Sequence, residues 1–212
     1  TSPQGQGPRP ASSVNDHLIL PTKMVCVCLN YVAHIEELGN KGPESMVVFN
    51  KPNSAITDIL HSQIGGHVLH YESELAFTVA SGKLAAVGFG LDLTKRALQS
   101  RLKEKGLPWE RAKAFDGAAL FSKFVALPSE IEHLSLQLDV DGEQRQAGGV
   151  QLMLYRPEFI LEEIARFTTL EDGDIIMSGT PSGVGEVQSG QTFEGQVLLG
   201  DRQLVSAARI AR

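Results

Sequence analysis

Cysteine is scarce in this chain: only Cys26 and Cys28 occur in 212 residues. They sit two apart in the apolar, strand-like run "MVCVCLN", a spacing that makes them small core residues facing one way. Positions two apart on one strand give poor disulfide geometry. Two cysteines cannot build a zinc framework alone, and the pattern suits a reducing cytoplasm. Basic charge is also short, with 19 Lys and Arg against 25 Asp and Glu and a formal net charge of −6. That balance speaks against nucleic acid or an anionic membrane as partner, since both call for a basic patch. No apolar run approaches the ~20 residues that cross a bilayer as a helix. The opening "TSPQGQGPRPASS" lacks the apolar core of a signal peptide, and its Pro, Gly and Ser predict a flexible arm over residues 1–21.

What remains is ordinary globular composition, 42% hydrophobic and 21% charged, and a length that suits one large domain or at most two small ones; a single domain over 22–212 is expected. "KMVCVCLNY" (23–31) reads as a buried strand and "AHIEELGN" as a short helix stopped by Gly39 and Asn40. "MVVFNKP", "HYESELAFTVA" and "LAAVGFGLDLT" read as strands, the last with Gly88 and Gly90 admitting another backbone. "LTKRALQSRLKEKG" (93–106) has helical spacing at Leu93, Ala97, Leu98 and Leu102, with Gly106 as its stop. Asp141-Gly142 marks a type I′ hairpin. "RPEFILEEIARFTTL" (156–170) reads as a helix with Pro157 near its start. "GDIIMSGTP" is a strand entering a Gly-rich loop, and the last segment is strands turning at Gly200-Asp201. Three helices in irregular order among many strands predict an α+β fold rather than an alternating βαβ sheet.

The acids are placed unusually. In "VLHYESELAF", Glu72 and Glu74 share one strand face, roughly 7 Å apart, and repel each other. An edge strand with a wet face would tolerate them; a divalent cation would explain them. Spacing alone favours the edge strand. Asp92 follows in "VGFGLDLT", where an unpaired carboxylate is expensive to bury, although capping the next helix is its commoner role. Together the three acids suit a hard cation, Mg²⁺ first, with Mn²⁺ or Ca²⁺ as alternatives. His70 is the one nearby residue that zinc would use. His34 and Glu37 are three apart on a short helix, the spacing of a carboxylate-oriented general base and equally of a surface ion pair. Arg96 and Gln99 share a helical face and Lys113 follows; each is more often a solvated surface group. "SGTPSGVG" lacks the Lys-Ser/Thr ending of a phosphate loop.

Six segments in order, "LNYVAHIEELGN", "VVFNKP", "HYESELAF", "GLDLTKRALQSRLKEKGLPWERAKAFD", "VDGEQRQ" and "LEDGDIIMSGTPSGVG", resemble the fumarylacetoacetate hydrolase family. The resemblance is to its small single-domain members, acylpyruvases and fumarylpyruvate hydrolases, and runs from about residue 22 to 188. It implies a mixed-sheet β roll with peripheral helices and a homodimer. It implies Glu72, Glu74 and Asp92 as metal ligands, and His34 with Glu37 as a dyad that activates water on a closing helix. Lys113, Arg96 and Gln99 would face the reacting carbonyl, and Lys51 and Thr180 would bind the substrate. The implied activity is metal-dependent hydrolysis of a carbon–carbon bond in a β-diketo acid, giving pyruvate and a carboxylic acid. The runner-up is a lyase or isomerase on the same platform, one that decarboxylates oxaloacetate or isomerises and decarboxylates an unsaturated dicarboxylate. A catalytically silent metal-binding scaffold is the third reading.

The chain departs from the family pattern in three places. Ala97 stands where relatives carry an acid, "GGVQLMLY" replaces a polar Asn-Thr-Ser-Asp segment, and the helix expected between "ELAFTVASG" and "LAAVGFGLD" is missing around Gly82-Lys83. The metal ligands are untouched by these changes, which bear on substrate identity.

Overall fold

The computed structural model describes residues 12–14, 17–37 and 45–212. The arm expected over 1–21 lies largely outside them; within it β1 (Ser12–Val14) pairs antiparallel with β2 (His17–Ile19). Next come β3 (Lys23–Cys28), α1 (Val32–Glu37) and β4 (Val47–Pro52). The helix stop expected at Gly39 and Asn40 lies outside the described residues. Short strands β5 (Gln63–Ile64) and β6 (His67–Val68) precede the long hairpin of β7 (His70–Ala80) and β8 (Lys83–Thr94). Then follow α2 (Arg96–Glu104), α3 (Glu110–Lys113), β9 (Ala119–Phe121) and β10 (Val125–Ala126). After β11 (Leu134–Val140), β12 (Glu143–Gly149) and α4 (Pro157–Ala165) the chain ends in four strands. These are β13 (Ile175–Met177), β14 (Gly185–Glu186), β15 (Thr192–Leu199) and β16 (Arg202–Ile210).

Turn chemistry closes the hairpins as the sequence predicts. Asp141 and Gly142 both hold positive φ, 53° and 79°, as a type I′ turn requires. Where the extra helix is missing, Ala80 pairs directly with Lys83 across Ser81 and Gly82, at φ 51° and 72°. The shortened chain therefore closes on itself in two residues.

The main sheet runs β10-β8-β7-β13-β3-β4, with β9 on β8 and β14 on β7. Its β13–β3 pair is parallel and the rest are antiparallel, so the sheet is mixed. A second, antiparallel sheet runs β12-β11-β15-β16. Strand alternation divides the main sheet into two buried faces. Leu75, Phe77, Phe89, Leu91, Val25 and Ile176 join Leu136, Leu138 and Phe193 of the second sheet in one core. The opposite face is lined by small residues, Ala76, Ala86 and Cys26, filled by Phe121, Phe124 and Met177. The fold is the α+β mixed-sheet roll, with few helices, that the resemblance implies.

Three local expectations need correction. A Cβ on Gly88 would come within 3.0 Å of the Phe124 ring and one on Gly90 within 3.1 Å of the Phe121 ring, so these glycines admit aromatic rings, not another backbone. Leu93 belongs to β8, and α2 buries Gln99 rather than an apolar row, because it covers the polar end of the sheet. The segment "ERAK" adds a fourth helix, a single turn whose Ala112 and Lys113 are both buried.

Candidate metal centre

β7 is no edge strand. It lies between β8 and β13 and is buried on both faces from Tyr71 to Val79. The wet-face explanation for Glu72 and Glu74 therefore fails: they are 6% and 1% exposed. Register places Glu72 directly opposite Asp92 and Glu74 opposite Gly90. One oxygen from each of Glu72, Glu74 and Asp92 lies within 4.8 Å of the others. Asp92 does not cap the following helix; Lys95 holds that position and makes no side-chain cap.

Three cations surround the acids. Lys113 Nζ donates to Glu72 Oε2 at 2.9 Å, Asp92 Oδ2 at 2.7 Å and Thr94 Oγ1 at 2.6 Å. Arg96 donates to Glu72 Oε1 and, through Nη1, to Gln99 Oε1 at 2.8 Å. Lys51 Nζ is 2.8 Å from Asp92 Oδ1 and donates to the carbonyls of Leu93 at 3.3 Å, Ala118 at 3.0 Å and Lys113. Lys51 was expected to bind substrate, but it is 0% exposed and every contact holds it to the protein. It is a buried counter-charge behind Asp92.

The electrostatics are unequal across the cluster. Burial alone would raise the Glu72 carboxyl; Lys113 and Arg96 overcome that and hold it well below the usual carboxylate range. Glu74 goes the other way. Burial, with Asp92 and Glu72 beside it, pushes it well up, and the Gly179 N–H at 2.7 Å does not offset them. Asp92 Oδ1 is buried with no hydrogen bond, despite the nearby Lys51 ammonium. A buried carboxylate oxygen left without a hydrogen bond and a carboxyl whose burial and acidic neighbours disfavour its charge are what a bound divalent cation would relieve. The donor set is all oxygen, suiting Mg²⁺ or Mn²⁺. His70 stands outside the cluster, 3.7 Å from Glu186. The nearby Cys28 thiol, pushed up to about 12 chiefly by burial, is a poor ligand while protonated. Neither His70 nor Cys28 joins the three acids in that cluster, so its ligands are carboxylates alone.

On the other side of the site, His34 Nδ1 meets Glu37 Oε2 at 3.2 Å, with His34 only 4% exposed. The pair joins a buried imidazole to an exposed carboxylate, and Glu37 Oε1 also accepts the Gly183 N–H at 3.0 Å. The loop after β13 thus holds both Glu74, through Gly179, and Glu37, through Gly183. Gly183 sits at φ 98°, where an added Cβ would overlap the Arg145 carbonyl oxygen. Thr180 in the same loop is 3% exposed and accepts from Gln146 Nε2 at 2.9 Å. Gln146 Oε1 in turn accepts the Ser73 N–H at 2.9 Å, between the two glutamates. Sequence reading missed Gln146; only its inward parity on a hairpin strand signalled it.

A cavity of about 40 Å³ gathers His34, Glu72, Arg96, Gln99, Lys113 and Thr180, as the sequence reading grouped them. It adds Cys28, Leu29, Lys103 and Trp109, which that reading passed over. Leu29 has φ 57°, an uncommon conformation for a branched residue and a mark of a constrained site. Trp109 and Lys113 also line a neighbouring cavity of about 450 Å³.

A curled mixed sheet carrying a buried carboxylate cluster, flanked by cations and a His–Glu pair, defines a metal-dependent enzyme. The chain belongs to the fumarylacetoacetate hydrolase family: the family model "Fumarylacetoacetate (FAA) hydrolase C-terminal" matches residues 23–210. It is 36% identical over 200 residues to the oxaloacetate tautomerase YcgM of Escherichia coli, covering 84% of this chain and 90% of that one. It is 37% identical over 191 residues to the mitochondrial oxaloacetate tautomerase FAHD1 of Arabidopsis thaliana, covering 80% and 83%. Among solved structures, the fumarylpyruvate hydrolase of Pseudomonas aeruginosa in complex with Mn²⁺ and pyruvate superposes with a TM-score of 0.84. That match has 27% identity and covers 100% of both chains.

Proposed function

We propose that the protein is a metal-dependent isomerase interconverting the enol and keto forms of oxaloacetate or a close 2-oxo acid. The observation that carries this reading is the carboxylate cluster, whose Glu72 lines one cavity with Lys113 and Arg96, in a chain similar to named oxaloacetate tautomerases. The lyase or isomerase class, held as the runner-up on sequence with oxaloacetate as a substrate for decarboxylation, thereby moves ahead of the hydrolase. Glu72, Glu74 and Asp92 would hold one divalent cation, Mg²⁺ or Mn²⁺. When bound it supplies Lewis-acid polarisation of a 2-oxo group.

Tautomerisation moves one proton between the enol oxygen and carbon 3 and consumes no water. His34 suits that transfer: Glu37 engages Nδ1, leaving Nε2 to give or take the proton. Glu37, held by the Gly183 N–H, fixes the ring. Arg96 and Gln99, joined to each other, and Thr180, held by Gln146, supply polar groups to orient the substrate. Lys113 keeps Glu72 ionised as a ligand.

The His34–Glu37 pair also favours a second reading, the hydrolase, in which His34 takes a proton from water. The test is ketonisation of enol-oxaloacetate against cleavage of acylpyruvates and fumarylpyruvate, with CO₂ release from oxaloacetate as a third arm, all at saturating Mg²⁺. Isomerase function requires oxaloacetate ketonisation to have the highest kcat/KM; a higher value for carbon–carbon cleavage would reinstate the hydrolase. Loss of all three rates would leave the silent scaffold.

Two further proposals concern the setting. A homodimer fits the exposed apolar residues Leu152, Leu154 and Phe159. Sedimentation at micromolar protein should show twice the 22.9 kDa chain mass. The free Cys26 and Cys28 fit a reducing compartment, and we place the protein in the cytoplasm. Among the described residues no helix is long and apolar enough to cross a membrane.

A further inference from the structure

We infer that Lys103, at the mouth of the metal-site cavity, binds the distal carboxylate of a dicarboxylic substrate and so sets substrate class. The inference takes from the proposed function only that the substrate is a 2-oxo acid whose head lies at the acidic cluster. α2 presents Arg96, Gln99 and Lys103 to the cavity, spaced i, i+3 and i+7 on one helical face. Two of the three cations lining that cavity are committed to carboxylates of the protein. Arg96 pairs with Glu72, and Lys113 pairs with Glu72 and Asp92. Lys103 lines the same cavity and, among the described residues, touches no carboxylate. A substrate with one carboxylate at the metal and a second at its far end needs an unspent cation there, and Lys103 supplies it.

Its position is not that of a free surface lysine. Lys103 Nζ lies 5.7 Å from the centroid of the Trp109 ring, which also lines the cavity. Trp109 is held in turn against Phe49, ring centroids 6.2 Å apart. The aromatic face restrains the long side chain near the opening, so less rotamer freedom is lost when an anion arrives. The charge is thereby aimed at the substrate end remote from the reacting carbons.

The chain's single tryptophan makes the test direct. Trp109 fluorescence is followed at saturating Mg²⁺ while L-malate or L-lactate is added. The two ligands share a 2-hydroxy acid head, and malate alone carries a distal carboxylate. Lys103 is exposed, so Lys103→Gln is expected to fold as the parent does. The parent should prefer malate, and Lys103→Gln should lose that preference by about tenfold or more, the scale of one charge-assisted hydrogen bond, with lactate affinity unchanged. Lys103→Arg should restore most of it. In turnover, Lys103→Gln should raise the KM for oxaloacetate far more than it lowers kcat. Equal binding of malate and lactate by the parent, or an intact preference in Lys103→Gln, would overturn the inference. A malate preference that depends on Lys103, in a protein that fails to ketonise oxaloacetate, would refute the proposed activity and uphold this site.

Discussion

Replacing Lys51 by methionine separates a structural cation from a substrate contact. The ammonium is fully buried, 2.8 Å from Asp92 Oδ1, and donates to the carbonyls of Leu93, Ala118 and Lys113. Methionine fills most of the same space, so the loss is electrostatic rather than a cavity. Removing one partner of a buried ion pair costs roughly 3–5 kcal/mol, because the other charge stays buried without compensation. Lys113 still touches Asp92 Oδ2, which places the expected loss at the lower end, about 3 kcal/mol. Against a total stability of about 5–15 kcal/mol, that is a large fraction. Urea unfolding at pH 7 in EDTA should show it as a lower midpoint with an unchanged slope. Mg²⁺ should stabilise the variant at least as much as the parent, since removing a neighbouring positive charge favours a cation at Asp92. At a hundred times Kd the ligand contribution is about 2.7 kcal/mol, which would recover much of the deficit. A loss below about 1 kcal/mol, together with a raised KM, would refute the counter-charge assignment and return Lys51 to the substrate; the threshold is one ordinary hydrogen bond.

Exhaustive chelation should abolish every activity of the protein, and Mg²⁺ or Mn²⁺ should restore it; full activity in EDTA would exclude the Glu72–Glu74–Asp92 centre. His34→Ala should slow proton transfer to or from substrate by roughly 10²–10⁴-fold, while Mg²⁺ affinity measured by calorimetry stays unchanged. Asp174 is held below the usual carboxylate range: burial raises it, and hydrogen bonds from Lys23, Glu171 and Thr22 more than reverse that. Its contribution is therefore present above the unfolded carboxyl value and lost as pH falls through the folded one. Asp174→Asn should cost about 1–3 kcal/mol at pH 7, and the gap to the parent should shrink below about pH 4 in urea melts. Gly183→Ala should lower the melting temperature and kcat together, because the added Cβ meets the Arg145 carbonyl and the displaced N–H releases Glu37. An unchanged kcat would mean that Glu37 does not depend on this loop.

The sequence by itself determined the elements and much of the chemistry. Alternation in "HYESELAF" put Glu72 and Glu74 on one face, Asp141-Gly142 closed its hairpin, and the order of six segments pointed to the family. These are local properties, carried by period-2 parity, by turn residues with positive φ and by motif order. Tertiary structure decided whether each polar group was solvated or buried, because burial depends on which strand lies alongside. Sequence could not show that β7 is flanked on both sides, so an edge strand looked reasonable for two like charges until β13 closed over it. Nor could it show that Lys51 turns inward to Asp92, or that Gln146, 73 residues from Ser73, ties the glutamate strand to Thr180. Such contacts join residues far apart in the chain. No local pattern encodes them; the sheet brings them together when it folds.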